Sequence, residues 1–142
     1  MIREFEAADI EPLMVIWRSA AEQAHDFLSR GCLQQWEPYV RACIEGFETF
    51  SYVVNGQCVG FICLSDKEIH LLYVSPKCQK EGIGRQFLDF VKSKIDSLTL
   101  KVHSKNASAM RFYEQNGFEF DGEVTNDSFS EPQKTMSWRV IG

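Results

Sequence analysis

Apolar residues recur at helical spacing along the first third of the chain, and then the period changes. Leu13, Trp17, Ala20 and Ala24 lie three or four residues apart, which predicts an amphipathic helix. Asp9 can cap it, Pro12 fits its first turn, and Gly31 reads as its stop. Trp36, Val40 and Ile44 predict a second helix that ends at Gly46. Ahead of both, residues 2–5 read as an edge strand. Residues 49–54 and 57–64 are rich in β-branched and aromatic side chains, and Asn55-Gly56 between them is a strong hairpin signal. Residues 69–74 are apolar apart from His70, which predicts a strand buried on both faces; Ser75-Pro76 ends it. Ile83, Phe87, Phe90, Val91 and Ile95 mark a helix that starts near Gly82. Residues 98–102 read as a short strand. Asn106 can cap a fourth helix that Gly117 terminates. Residues 118–125 and 135–140 close the chain as strands.

The resulting order, β-α-α-β-β-β-α-β-α-β-β, describes an α/β (α+β) chain with about seven strands. Its 142 residues suit one domain spanning 1–142, and 44% hydrophobic with 25% charged residues excludes disordered, collagen-like and coiled-coil classes. The net charge of −5 weighs against a nucleic-acid partner and favours cationic ones. No apolar run approaches the roughly 20 residues that cross a bilayer, and residues 1–11 carry no signal-peptide pattern, so we expect a cytoplasmic protein without a membrane partner. Five cysteines stand at 32, 43, 58, 63 and 78. The odd count and the lack of C-x-x-C spacing point to free thiols, with neither disulfide nor metal.

Candidate chemistry concentrates in two segments. The first runs strand, turn, glycine pair, helix, and contains Gln79-x-x-Gly82-x-Gly84-Arg85. Backbone N–H groups at such a turn, with the partial positive charge of a helix start behind them, suit a pyrophosphate. The Rossmann and Walker fingerprints are both unmet, and a purely structural turn is the competing reading of this segment alone. The second is Asn106-Ala-Ser-Ala109-Met-Arg-Phe112-Tyr113-Glu-Gln-Asn-Gly117-Phe118.

Together, in this order and at this spacing, the two segments resemble the signatures of the GNAT superfamily of N-acetyltransferases. The resemblance covers nearly the whole chain. It implies a mixed, mostly antiparallel sheet flanked by helices, a small bacterial-type enzyme, and acetyl-CoA bound in a V-shaped gap between the fourth and fifth strands. It implies that the backbone of Leu72, Tyr73 and Val74 holds the pantetheine beside a β-bulge. Gln79, Lys80, Glu81, Gly82, Ile83, Gly84 and Arg85 would hold the pyrophosphate. Asn106 and Phe112 would flank the pantetheine, and Tyr113 would serve as general acid at the sulfur. Glu81 departs from the basic or neutral residue more usual there, with Lys80 and Arg85 offsetting its charge. Asn106 also reads as a plain N-cap, and Phe112 and Tyr113 as core aromatics.

The expected reaction passes an acetyl group to a primary amine by direct attack in a ternary complex. The acceptor would be a protein lysine or N-terminus, a polyamine or another small amine. Such an amine is almost wholly protonated at neutral pH, and freeing it costs roughly 4 kcal/mol unless a base assists. Glu68 and His70, two apart on one strand, are candidates, and share a face if the bulge lies beyond them. A solvated carboxylate and a hydrogen-bonded imidazole are the competing readings. His25 and Phe27 resemble a His-x-Phe feature in the acceptor wall of some small family members. A non-catalytic acyl-CoA-binding or regulatory protein is the rival function, and an RNA-acylating toxin is disfavoured by charge. The oligomeric state, monomer or homodimer, stays open.

Overall fold

The computed structural model describes residues 1–24, 30–104, 106–126 and 132–140. Seven strands form one mixed, mostly antiparallel sheet. β1 (Ile2–Glu4), β2 (Glu48–Val54), β3 (Gln57–Ser65) and β4 (Glu68–Val74) pair antiparallel in that order. β5 (Ser97–His103) joins β4 in parallel. β7 (Pro132–Arg139) then lies antiparallel between β5 and β6 (Glu119–Asn126). Four helices are α1 (Ile10–Ala24), α2 (Arg30–Gly46), α3 (Ile83–Lys92) and α4 (Ala107–Gln115). Asn55 and Gly56 turn the β2–β3 hairpin with φ of 51° and 78°, the left-handed pair a tight hairpin turn requires.

Strand alternation divides the apolar side chains between the two faces. Phe61, Cys63 and Leu71 meet Leu13, Trp17, Val40 and Ile44 of α1 and α2. Ile62, Leu64, Leu98 and Leu100 meet Ile83, Phe87, Leu88 and Val91 of α3, with Phe112 and Tyr113 of α4 packed alongside.

Three local expectations are corrected and a fourth is qualified. Asp9 does not cap α1; it ends a short 3-10 turn, Ala7–Asp9, and accepts from the Glu6 N–H at 2.9 Å. It is buried because Arg3 grips both its carboxylate oxygens, at 2.7 and 2.9 Å. Gly31 lies within α2 and so does not stop a helix. α3 ends at Lys92, short of Ile95, and the Ser93 hydroxyl donates to the Phe90 carbonyl at that end. β4 does pack on both faces, Ile69 toward α3 and Leu71 toward α1 and α2, but its second half is only partly buried because it borders a cavity.

Candidate active site

The parallel pairing of β4 and β5 is brief. Glu68 aligns with Thr99 and Ile69 with Leu100, and no ladder pair follows. The strands part there, and a cavity of about 810 Å³ opens between residues 69–74 of β4 and 100–103 of β5. The β3–β4 register slips at the same level. Cys63 pairs with Leu71 and Leu64 with Ile69, so His70 is the extra residue of a β-bulge. The bulge therefore falls on His70 itself, two residues upstream of the backbone expected to hold the pantetheine.

One end of the cavity is the turn before α3. Lys80 and Gly82 adopt left-handed φ of 68° and 82°, with Glu81 at negative φ between them. Such alternation curls successive N–H groups into an anion-sized concavity. No side chain caps α3. Gln79, Lys80, Gly82, Ile83, Gly84 and Arg85 line the cavity, whereas Glu81 is exposed and does not. A Cβ added at Gly82 would meet nothing within 4 Å, so glycine is needed there for its φ. At Gly84 an added Cβ would lie 3.0 Å from the tip of the Phe112 ring, so this glycine lets α3 approach α4.

The other wall is α4. Asn106, Phe112 and Tyr113 all reach the cavity from one helix face, as does Ala109. Asn106 is also the N-cap, its Oδ1 accepting the Ala109 N–H at 3.1 Å, so the amide NH₂ remains for the cavity. The Tyr113 ring packs edge-on against Phe112 and Phe118, at centroid distances of 5.2 and 5.5 Å. Burial, and then the neighbouring Tyr73, hold its hydroxyl well above the usual tyrosine pKa. It therefore keeps its proton at neutral pH.

On the α2 side, His70 lines the cavity and Glu68 does not. The His70 ring stacks on Phe47 with centroids 4.6 Å apart. Its Nδ1 lies 3.9 Å from Glu68 Oε2, an electrostatic contact longer than a hydrogen bond. Its Nε2 is buried and has no hydrogen-bond partner. The pair thus stays together although the bulge falls at His70. His25 and Phe27 lie outside the described residues.

The sequence reading missed several wall residues. Tyr73, expected to contribute its backbone, also packs its ring against Phe61; burial pushes its hydroxyl up to about 12 while a hydrogen bond with Trp17 acts in the opposite sense. Gln23 from α1, and Lys101 and His103 from β5, were also missed. The alternation of Leu98, Leu100 and Val102 was the available signal for the last two. Among the described residues no cluster of three metal-ligating side chains occurs, and no helix is long and apolar enough to cross a membrane. Cys43, Cys58, Cys63 and Cys78 are free thiols.

Comparisons with known proteins bear on this arrangement. The peptidyl-lysine N-acetyltransferase YiaC of Escherichia coli K12 is 26% identical over 143 residues, covering 99% of this chain and 98% of that one. The peptidyl-lysine N-acetyltransferase YjaB of the same organism is 28% identical over 142 residues, covering 99% and 97%. The solution structure of apo YjaB superposes with a TM-score of 0.87 over 97% of this chain and 96% of that one. The fold is shared too by the PaiA N-acetyltransferase of Thermoplasma acidophilum, crystallised with coenzyme A, at 22% identity and a TM-score of 0.80 over 99% and 98%. The family model of the acetyltransferase (GNAT) domain matches residues 13–132, from the first half of α1 to the start of β7, and so takes in the parted strands, the glycine turn and α4 together. On that match the chain belongs to the GNAT acetyltransferases.

Proposed function

We propose that this chain forms one catalytic domain that transfers an acetyl group from acetyl-CoA to the side-chain amine of a protein lysine. The observation that carries this reading is the cavity where β4 and β5 part. It has N–H groups of an uncapped helix at one end and a protonated tyrosine on its wall. These groups fit the donor: uncapped N–H groups suit a pyrophosphate, and β4 beyond Ile69 has no ladder pair with β5 that would occupy its edge. Two relatives named peptidyl-lysine N-acetyltransferases, and a structural neighbour crystallised with coenzyme A, support it further.

Bound acetyl-CoA supplies an activated thioester. Gly82, Ile83, Gly84 and Arg85 offer backbone N–H groups to its phosphates, with Lys80 adding charge. The backbone of Leu72, Tyr73 and Val74 holds the pantetheine amides, and Asn106 and Phe112 flank them. Tyr113 Oη donates its proton toward the departing sulfur. His70, which lines the cavity, accepts the proton of the incoming amine, and Glu68 beside its Nδ1 orients the ring. In this division Glu68 is a positioning residue and His70 touches the substrate.

The test is a thiol-release assay with acetyl-CoA and a panel of lysine peptides, N-terminal peptides, polyamines and aminoglycosides, beside calorimetric titration with CoA. Turnover that requires the lysine peptide is the expected result. CoA binding with no turnover on any acceptor would mark an acyl-CoA-binding protein instead, and no CoA binding would overturn both.

A further inference from the structure

Lys92, the last residue of α3, sits at the far end of the helix whose start carries the glycine turn. Its amine donates to the Asn116 carbonyl at the end of α4, where a helix leaves carbonyls without intrahelical partners and a cation is favoured. The same nitrogen lies 5.0 Å from the Trp138 ring centroid and 5.6 Å from that of Phe118, over both aromatic faces. Gly117, between Asn116 and Phe118, has φ of 91°, and a Cβ there would come within 3.2 Å of Trp138 Cδ1 and 3.9 Å of Lys92 Nζ, so the turn closes around the amine. The clamped turn is bonded directly to the two aromatic residues of the cavity wall. The Tyr113 carbonyl accepts the N–H groups of Asn116 and Phe118, each at 3.0 Å, and the Asn116 side-chain amide donates to the Phe112 carbonyl at 2.8 Å. The Phe118 ring that faces Lys92 also packs against the Tyr113 ring, with 5.5 Å between centroids.

We infer that Lys92 is a positioning residue for the proton transfer: by tying the end of α3 to the end of α4, it fixes where the Tyr113 hydroxyl stands. The inference rests on the acetyltransferase reading above. α4 meets α3 at two places, Phe112 against Gly84 in the first turn of α3 and Asn116 against Lys92 in its last. One contact leaves α4 free to pivot, and two set its direction. In the proposed reaction the phosphates sit at the start of α3 and the proton donor stands in the last turn of α4, so the angle between these helices sets the reach from one to the other. Removing the amine leaves the Asn116 carbonyl without this donor and releases the turn on which Tyr113 hangs. A displacement of roughly 1 Å costs up to about 10²-fold in a transfer that depends on alignment. Lys92 does not line the cavity, so its effect runs through Tyr113 and not through contact with donor or acceptor.

The experiment is a cycle of Lys92→Met and Tyr113→Phe, with steady-state kinetics on a lysine peptide, a CoA titration and a thermal melt for each protein. Lys92→Met should lower kcat about tenfold while the Kd for CoA changes less than about twofold. Lys92→Arg, which keeps the charge and the N–H donors, should recover most of that loss. In the Tyr113→Phe background Lys92→Met should lower kcat less than about twofold, because the proton it aligns is already gone, while its effect on Tm is the same in both backgrounds. Lys94→Met removes another lysine from two aromatic faces, those of Phe50 and Phe90, and should leave kcat unchanged. A kcat loss of the same factor with and without the Tyr113 hydroxyl makes Lys92 a stability residue alone and overturns the inference. So does a wild-type kcat in Lys92→Met. If that variant does not fold, Lys92→Gln, which keeps an N–H donor, takes its place in the cycle, and failure of both to fold overturns the inference as well. Each of these outcomes spares the acetyltransferase reading. Near-full kcat in Tyr113→Phe removes the transfer that Lys92 serves and overturns the inference with it. An enzyme that neither binds CoA nor turns over any acceptor overturns both the inference and the reading it rests on.

Discussion

Gly84 and Tyr113 show how single side chains set this site. A glycine in a phosphate-binding turn is ordinarily read as making room for the phosphate, yet a Cβ at Gly84 would first meet the Phe112 ring, 3.0 Å away. Gly84→Val should therefore weaken CoA binding about tenfold, or 1.4 kcal/mol, by pushing Phe112 out of place. In a Phe112→Ala background the same substitution should cost less than about twofold, a coupling that calorimetry on the four proteins of the cycle measures. A full tenfold loss in both backgrounds would return the role to phosphate contact. In the proposed mechanism Tyr113 acts through its proton. Burial holds its hydroxyl above the usual tyrosine value, so it stays protonated at neutral pH and is available as the proposed donor. A thiol pKa near 8.5 makes the thiolate a tolerable leaving group unaided, so Tyr113→Phe should lower kcat by about 10²-fold, toward the low end of general acid catalysis. The deficit should shrink as pH rises, because expulsion of the thiolate then needs less help. Near-full kcat on a verified acceptor would make Tyr113 a packing aromatic alone.

Among the elements, β1 is the shortest strand and sits at the sheet edge, held partly by one ion pair. Arg3 donates to both carboxylate oxygens of Asp9, and Asp9 also accepts from the Glu6 N–H; Ser51 and Cys58 lie within 3.5 and 3.6 Å. The Arg3 hydrogen bonds are the chief reason that the Asp9 carboxyl titrates below the ordinary aspartate value. A carboxyl depressed on folding stabilises the native state fully above its unfolded pKa, and that contribution is lost as pH falls through the folded one. Asp9→Asn should lower stability at pH 7, since it removes the charge of a buried acceptor that Arg3 and the Glu6 N–H bind. The gap between variant and wild type should close below about pH 4. Urea midpoints at several pH values check this, and a constant gap down to pH 2 would show that Asp9 holds β1 by shape alone.

Across the whole molecule, the distribution of thiols bears on the compartment and on handling. Cys43 and Cys63 are buried in the layer between the sheet and the α1–α2 pair, and Cys58 is partly buried beside Asp9. Burial pushes Cys63 up to about 12 and raises Cys43 and Cys58 as well, which leaves them poor nucleophiles at neutral pH. All five cysteines should react on denaturation without reductant, whereas native protein should react slowly at Cys43 and Cys63. A denatured count of three or one, in protein kept from air, would reveal a disulfide and place the chain in an oxidising compartment.

The apolar period, the Asn55-Gly56 turn and the two signature segments were enough to predict the element order, the mixed sheet and the family, because each depends on residues close together in the chain. The same local logic placed Asn106 and Tyr113 on one helix face, and both meet the cavity, as does Phe112. Asp9 and Gly31 were misread because their surroundings come from Arg3 and from where α2 begins, neither of which a capping pattern contains. Tertiary pairing alone decided where β4 and β5 part, that the bulge falls on His70, and that His70 but not Glu68 lines the cavity. It alone brought Gly84 against Phe112 and Lys101 to the opening of the strands. Strand register and helix docking join segments distant in sequence, and a one-residue slip redirects a side chain to the other face, so these positions are set by the assembled sheet and not by local pattern.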